Sequence, residues 1–135
     1  MPTSKELTFD LEDRPGNLAK ACRALADSGV NILAFQSVAS EGKGRVRCVV
    51  DNAIVAKRVL DNEGLSYSEA DVAQVRLRHR PGELARAAAR LGEAEINIKY
   101  AYCGVDSGSN TPVMIFCVEE VEQAAAILDR TAAAA

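Results

Sequence analysis

The sequence predicts an α+β protein made of two consecutive copies of one βαββαβ module, each an antiparallel sheet with its helices on one face. Three observations lead there. Residues 11–32 align with residues 77–98 without a gap. Alternating and helical apolar spacings follow one another in the order strand, helix, strand, strand, helix, strand. The same order then begins again after residue 71.

The duplication rests on identities. At a shift of 66, Leu11, Arg14, Pro15, Gly16, Leu18, Ala19, Ala21, Leu25, Asn31 and Ile32 meet Leu77, Arg80, Pro81, Gly82, Leu84, Ala85, Ala87, Leu91, Asn97 and Ile98. Ten identities in 22 positions compare with about one or two from background composition. Val30 against Ile96 and Lys20 against Arg86 are conservative. A weaker echo at a shift of 68 pairs Ala56, Val59, Leu60 and Asp61 with Ala124, Ile127, Leu128 and Asp129. The drift implies small insertions in a turn, where chains tolerate them.

In the first copy, Leu7-Thr8-Phe9-Asp10-Leu11-Glu12 alternates apolar and polar residues, the pattern of a half-buried strand. Arg14-Pro15-Gly16 forces a turn. Leu18, Cys22, Leu25 and Ala26 then recur at helical spacing, and Gly29 is placed to end the helix. Ile32–Ala39 reads as a second strand, Glu41–Gly44 as a turn, and Arg45–Val50 as a third strand. Asp51 and Asn52 suit the cap of a second helix that carries Ile54, Val55, Val59 and Leu60 inward. Glu63-Gly64 ends it, and Leu65–Asp71 supplies a fourth strand.

The second copy repeats the plan with strand Val72–Arg78, helix Gly82–Leu91, strands Ile98–Val105 and Val113–Val118, and helix Glu120–Asp129. This is the split-βαβ, ferredoxin-like order. The expected modules are residues 4–71 and 72–130, with 131–135 as a tail, so the second lacks or shortens its last strand. Its first strand would then be left with an unpaired edge, to be covered by repeat one or by a second chain. A homodimer or larger assembly is the expectation.

Bulk composition narrows the function classes. Hydrophobic residues make up 48% and charged residues 26%, as in a folded globular protein. The formal net charge is −3, charges of both signs are interleaved, and aromatics are only 4%, so a nucleic-acid role is not expected. No apolar run approaches the 18 or so residues of a membrane span, and no signal core follows Met1, so the expected location is the cytoplasm. Cys22, Cys48, Cys103 and Cys117 form no Cys-x-x-Cys pair, and His79 is the single histidine; the expectation is buried, reduced thiols and no metal site.

Catalytic signatures are missing from the sequence. It contains no Ser-His-Asp order, Gly-x-Ser-x-Gly elbow, His-Glu-x-x-His pair or phosphate-binding glycine loop. The expectation is a protein that is not an enzyme and carries no cofactor. The binding reading rests instead on Asp13-Arg14-Pro15-Gly16-x-Leu18-Ala19 and its copy His79-Arg80-Pro81-Gly82-x-Leu84-Ala85. Each sits where a strand hands over to a helix, whose free N–H groups and partial positive charge suit a carboxylate. Asn31 and Asn97 follow the same helix and offer both donor and acceptor to an amino acid. Two bland readings stand beside this one: Pro-Gly simply builds the turn, and asparagine simply caps the loop.

Asp13-Arg14-Pro15-Gly16-x-Leu18-Ala19, a helix with Leu25, and Gly29-Val30-Asn31-Ile32 together resemble an ACT domain. Arg80-Pro81-Gly82-x-Leu84-Ala85 with Ile96-Asn97-Ile98 resembles a second, so the likeness covers about residues 4–130. The resemblance implies non-catalytic sensing of a small molecule, usually an amino acid, at an interface between domains. It implies contacts from Asp13 and Asn31, with backbone groups around Arg14, Pro15, Gly16, Asn17 and Leu18. In the second copy the positions are His79, Arg80, Pro81, Gly82, Glu83, Leu84 and Asn97; His79 departs from the Asp or Asn often found there. Regulatory output would pass through a partner chain, a metabolic enzyme. The alternative is a regulatory subunit that docks on such an enzyme without a ligand of its own.

Overall fold

The computed structural model describes residues 3–133. Ten elements follow in order: β1 (Thr3–Glu12), α1 (Asn17–Asp27), β2 (Ile32–Ser40), β3 (Lys43–Val50), α2 (Ala53–Asn62), β4 (Tyr67–Arg76), α3 (Glu83–Glu93), β5 (Tyr100–Val105), β6 (Pro112–Cys117) and α4 (Val121–Ala133). The chain divides into two compact units. One is Lys5–Ala70; the other runs from Asp71 and takes in the start of β1, Thr3–Ser4.

In the first unit β3 lies between β1 and β2, antiparallel to both. Leu7 opposes Cys48 and Glu12 opposes Lys43, while Ser40 opposes Lys43 on the other side. The β2–β3 hairpin closes through Glu41 and Gly42, with φ of 53° and 79°. Two consecutive left-handed residues make the tight turn that matches strand twist. The turn therefore needs only two residues, and β3 starts at Lys43, earlier than the glycines at 42 and 44 suggested.

Leu7 and Phe9 from β1, Val46 and Cys48 from β3, Ala21 and Leu25 from α1, and Ala56, Val59 and Leu60 from α2 share one buried cluster. Both helices therefore cover the same sheet face. Asn52 caps α2, its Oδ1 accepting from the Val55 N–H at 3.1 Å. Three positions differ from the periodicity. Ile54 is 70% exposed; it lies about 200° around the helix from Ala56, at ~100° per residue, so it cannot share that stripe. Leu18 and Ala26 are also exposed, and the inward stripe of α1 narrows to Ala21 and Leu25.

The second unit repeats the arrangement, with β6 between β4 and β5 and antiparallel to both. Ala73 opposes Phe116 and Tyr102 opposes Ile115. Ala73, Val75, Leu77, Ala87, Leu91, Phe116, Ala124 and Leu128 form its core.

The segments Leu65–Asp71 and Val72–Arg78 are not separate strands. They merge into β4; Ala70-Asp71-Val72 contains no Gly or Pro to break the strand. The first half of β4 belongs to one unit and the second half to the other. Among the described residues no strand follows α4, which continues to Ala133 through residues expected in the tail; 134–135 lie outside the described residues. The edge of β4 in the second unit is met by the start of β1: Ser4 Oγ donates to Gln74 Oε1. This contact comes from the chain's own first strand, one of the two sources expected for that edge.

Cys48 is buried in the first core, and Cys22 and Cys117 are half-buried, but Cys103 is exposed. Strand alternation explains the last, since its neighbour Tyr102 points inward. Among the described residues no group of three or more His, Cys, Asp or Glu side chains is arranged to hold a metal ion, and no helix is long and apolar enough to cross a membrane.

Candidate functional site

Strand β1 ends at Glu12, and the chain turns over Asp13–Gly16 into α1. Proline is suited to the turn, and Gly16 takes φ 90° at the N-cap, a conformation costly for residues with a Cβ. The Asp13 N–H donates to the Gly42 carbonyl at 3.0 Å, tying the turn to the β2–β3 hairpin. Arg14 N–H donates to Glu12 O at 2.9 Å, Asn17 N–H to Arg14 O at 3.2 Å, and Lys20 N–H to Gly16 O at 3.0 Å. No side chain caps α1; Asn17 instead turns its Nδ2 back onto the Glu12 carbonyl at 3.0 Å.

Beside this helix start lies a cavity of about 260 Å³. Leu11, Ala21 and Leu65 line it with apolar surface; Asp10, Glu12, Asn17, Lys20, Lys43 and Glu63 supply its polar groups. Lys43 arrives because the β1–β3 register sets it opposite Glu12. Glu63 and Leu65 come from the connection after α2. The rim thus carries cations and carboxylates within one small volume.

The second unit copies the backbone of this turn. Arg80 N–H donates to Arg78 O at 2.9 Å, Glu83 N–H to Arg80 O at 3.4 Å, and Arg86 N–H to Gly82 O at 2.9 Å. Gly82 also takes φ 90° as an uncapped helix start. Each bond has its counterpart 66 residues earlier. The side chains diverge. Glu83, the counterpart of Asn17, is only 7% exposed; its carboxylate stands 3.6 Å from Arg80 Nε and 3.6 Å from Arg86 Nη2.

A sequence profile for the ACT domain pair matches residues 2–132. The chain belongs to the ACT domain pair family. No curated protein matches it. Among solved structures, protein BT0572 from Bacteroides thetaiotaomicron is similar with a TM-score of 0.82 at 21% identity, over 96% of this chain and 88% of that one. The regulatory subunit of aspartate kinase from Thermus thermophilus, in its ligand-free form, gives 0.63 at 17% identity, over 96% and 92%. The corresponding subunit from Thermus flavus gives 0.63 at 18%, over 97% and 93%. At these identities the likeness is one of fold.

In this ACT domain pair the sequence candidates do not converge within a module. Asp13 is beside the Glu12–Lys43 end of β3, whereas Asn31 is at the Val50–Asp51 end. Seven steps along β3 at ~3.3 Å each put about 23 Å between them. Asn31 is instead paired to the α2 cap region: its N–H donates to Asp51 Oδ1 at 2.9 Å, and the Asp51 N–H donates to Asn31 O at 3.0 Å. Asp13, Arg14, Pro15, Gly16 and Leu18 are exposed around the turn, and only Asn17 of the candidates lines the cavity. His79, Arg80, Pro81, Gly82, Leu84 and Asn97 are exposed, and Glu83 is buried. Lys20, Lys43 and Glu63 line the cavity but were not among the sequence candidates. The conservative Lys20–Arg86 match was the one available signal; Lys43 opens β3 and Glu63 follows α2, and no local pattern links either to the turn.

Proposed function

We propose that this ACT domain pair is a non-catalytic regulatory protein of amino-acid metabolism that binds an amino acid at the notch of its first module. The observation that carries this reading is the cavity beside α1, where Lys20 and Lys43 face the same space as Glu12 and Glu63. A zwitterion presents one carboxylate and one ammonium, and needs partners of both signs close together. At about 260 Å³ the space equals about eight or nine water volumes of ~30 Å³, room for a small or mid-sized amino acid. The uncapped start of α1 adds partial positive charge on the carboxylate side. Asn31 of the same module is out of reach of a ligand seated there.

Two structures that share the fold are regulatory subunits of aspartate kinase, one described as ligand free. They support a regulatory role exercised through a metabolic enzyme. Thermal melting against each of the twenty amino acids at millimolar concentration tests the sensing reading. At least one should raise the melting temperature, and Lys20→Met with Lys43→Met should abolish the rise. Silence across all twenty would defeat it.

A second reading is favoured by one observation. Leu18 and Leu84 hold the same place in the two modules and are 37% and 49% exposed. A subunit that docks on an enzyme without its own ligand would use such apolar surface. Capture of one enzyme, unaffected by any amino acid and lost in Leu18→Ser, would decide for it.

A further inference from the structure

We propose that Glu83 is a built-in carboxylate occupying the second module's notch, so that this module is closed to an anionic ligand while the first is open. The inference deepens the binding reading above, but its decisive experiment does not need an amino-acid ligand to exist.

The two helix starts are equivalent in backbone and opposite in occupancy. Both follow an N-cap glycine at φ 90°, and neither has a side-chain cap. In the first module Asn17 donates to its own Glu12 carbonyl, and Lys20 lines an open cavity. In the second, Glu83 folds into the structure to 7% exposure. Its two oxygens face Arg80 Nε and Arg86 Nη2, each at 3.6 Å. A carboxylate at the first residue of a helix also meets the positive end of the dipole. These are the interactions a ligand carboxylate would seek, supplied by the chain.

The fit is loose, with both ion-pair distances at 3.6 Å. Charge-assisted hydrogen bonds usually close to about 2.7–2.9 Å. Glu83 Oε1 is buried and accepts no hydrogen bond among the described residues. A buried polar oxygen without such a bond is costly. The tether from the helix backbone keeps the carboxylate short of the guanidinium groups; a free carboxylate has no such tether. A single substitution at Glu83 should therefore exchange an internal carboxylate for an external one.

The test uses the full chain carrying Glu83→Asn, which places the first module's residue on a backbone that already accepts it at Asn17. Melting is followed in sodium formate against sodium chloride at equal ionic strength, with the wild type and Asn17→Ala as controls. The variant should melt below the wild type and recover saturably with formate, by about 3 °C more than either control; any uptake at the open first notch is shared by the variant and the wild type. If the variant does not fold, Glu83→Gln, which keeps the side chain's shape, replaces it with the same expected recovery. A formate response no larger than chloride's, or an equal response in the wild type, overturns the proposal. In the reverse exchange, Asn17→Glu should remove any amino-acid response found for the wild type; retention of that response also overturns it. A wild type silent to every amino acid while Glu83→Asn takes up formate would remove the sensing reading alone.

Discussion

Glu95 holds the left-handed backbone conformation that Gly29 holds one repeat earlier, with φ of 58° against 76°. Both sit just past a helix, and both are followed by a residue closing the same bond: Val30 N–H to Leu25 O and Ile96 N–H to Leu91 O, each at 3.0 Å. The motif demands a residue of positive φ whatever its identity. Glu95 therefore carries strain that Gly29 does not. Glu95→Gly should stabilise the protein by about 0.5–1 kcal/mol, read as a rise in melting temperature of a few degrees.

Gly16 and Gly82 make the complementary case. An added Cβ at either would meet nothing within 4 Å, yet both sit at φ +90°. The cost of Gly16→Ala and Gly82→Ala is thus conformational, about 1–2 kcal/mol each. Denaturant titration should give similar losses for the two; a loss at only one would mean that their shared backbone does not govern them.

The cysteines should react in order of burial. Cys48 lies in the first core, where burial, with smaller contributions from Cys22 and Glu6, pushes its thiol up to about 12. Burial also raises Cys22, whereas Cys103 is exposed. Iodoacetamide at pH 8, followed by peptide mass mapping, should label Cys103 first and Cys48 only after unfolding. Early labelling of Cys48 would contradict the packing described.

Asp10 and Arg45 form a bidentate pair, with Nε–Oδ1 at 2.9 Å and Nη2–Oδ2 at 3.1 Å. The hydrogen bonds from Arg45 hold the Asp10 carboxyl below its ordinary range. A folded-state value lower than the unfolded one stabilises above the unfolded pKa and is lost as pH falls through the folded one. The wild type should therefore exceed Asp10→Asn in stability by a constant amount above about pH 5, and the gap should close below about pH 4. A gap that persists at pH 2 would assign the effect to packing instead.

Leu7, Phe9, Leu25, Val46 and Val59 were legible as core from spacing alone, because a strand or helix facing one layer must repeat its apolar residues at that element's period. Ile54 and Leu18 were misread for the same reason: period records which residues share a stripe, but not where the covering layer stops. The merger into β4 accords with the lack of Gly or Pro at 70–72, a local fact that the two-module outline obscured.

By itself the sequence determined the duplication, the α+β class and the turn after each opening strand, since these depend on local conformational preference and on patterns repeated along the chain. Only the tertiary structure decided what each turn encloses. Lys43 and Glu63 reach the first notch through the β1–β3 register and the exit of α2, and Asn31 is carried a strand's length away. Whether a polar notch is empty or filled depends on side chains converging from distant segments, and at the second notch one carboxylate, Glu83, settles it.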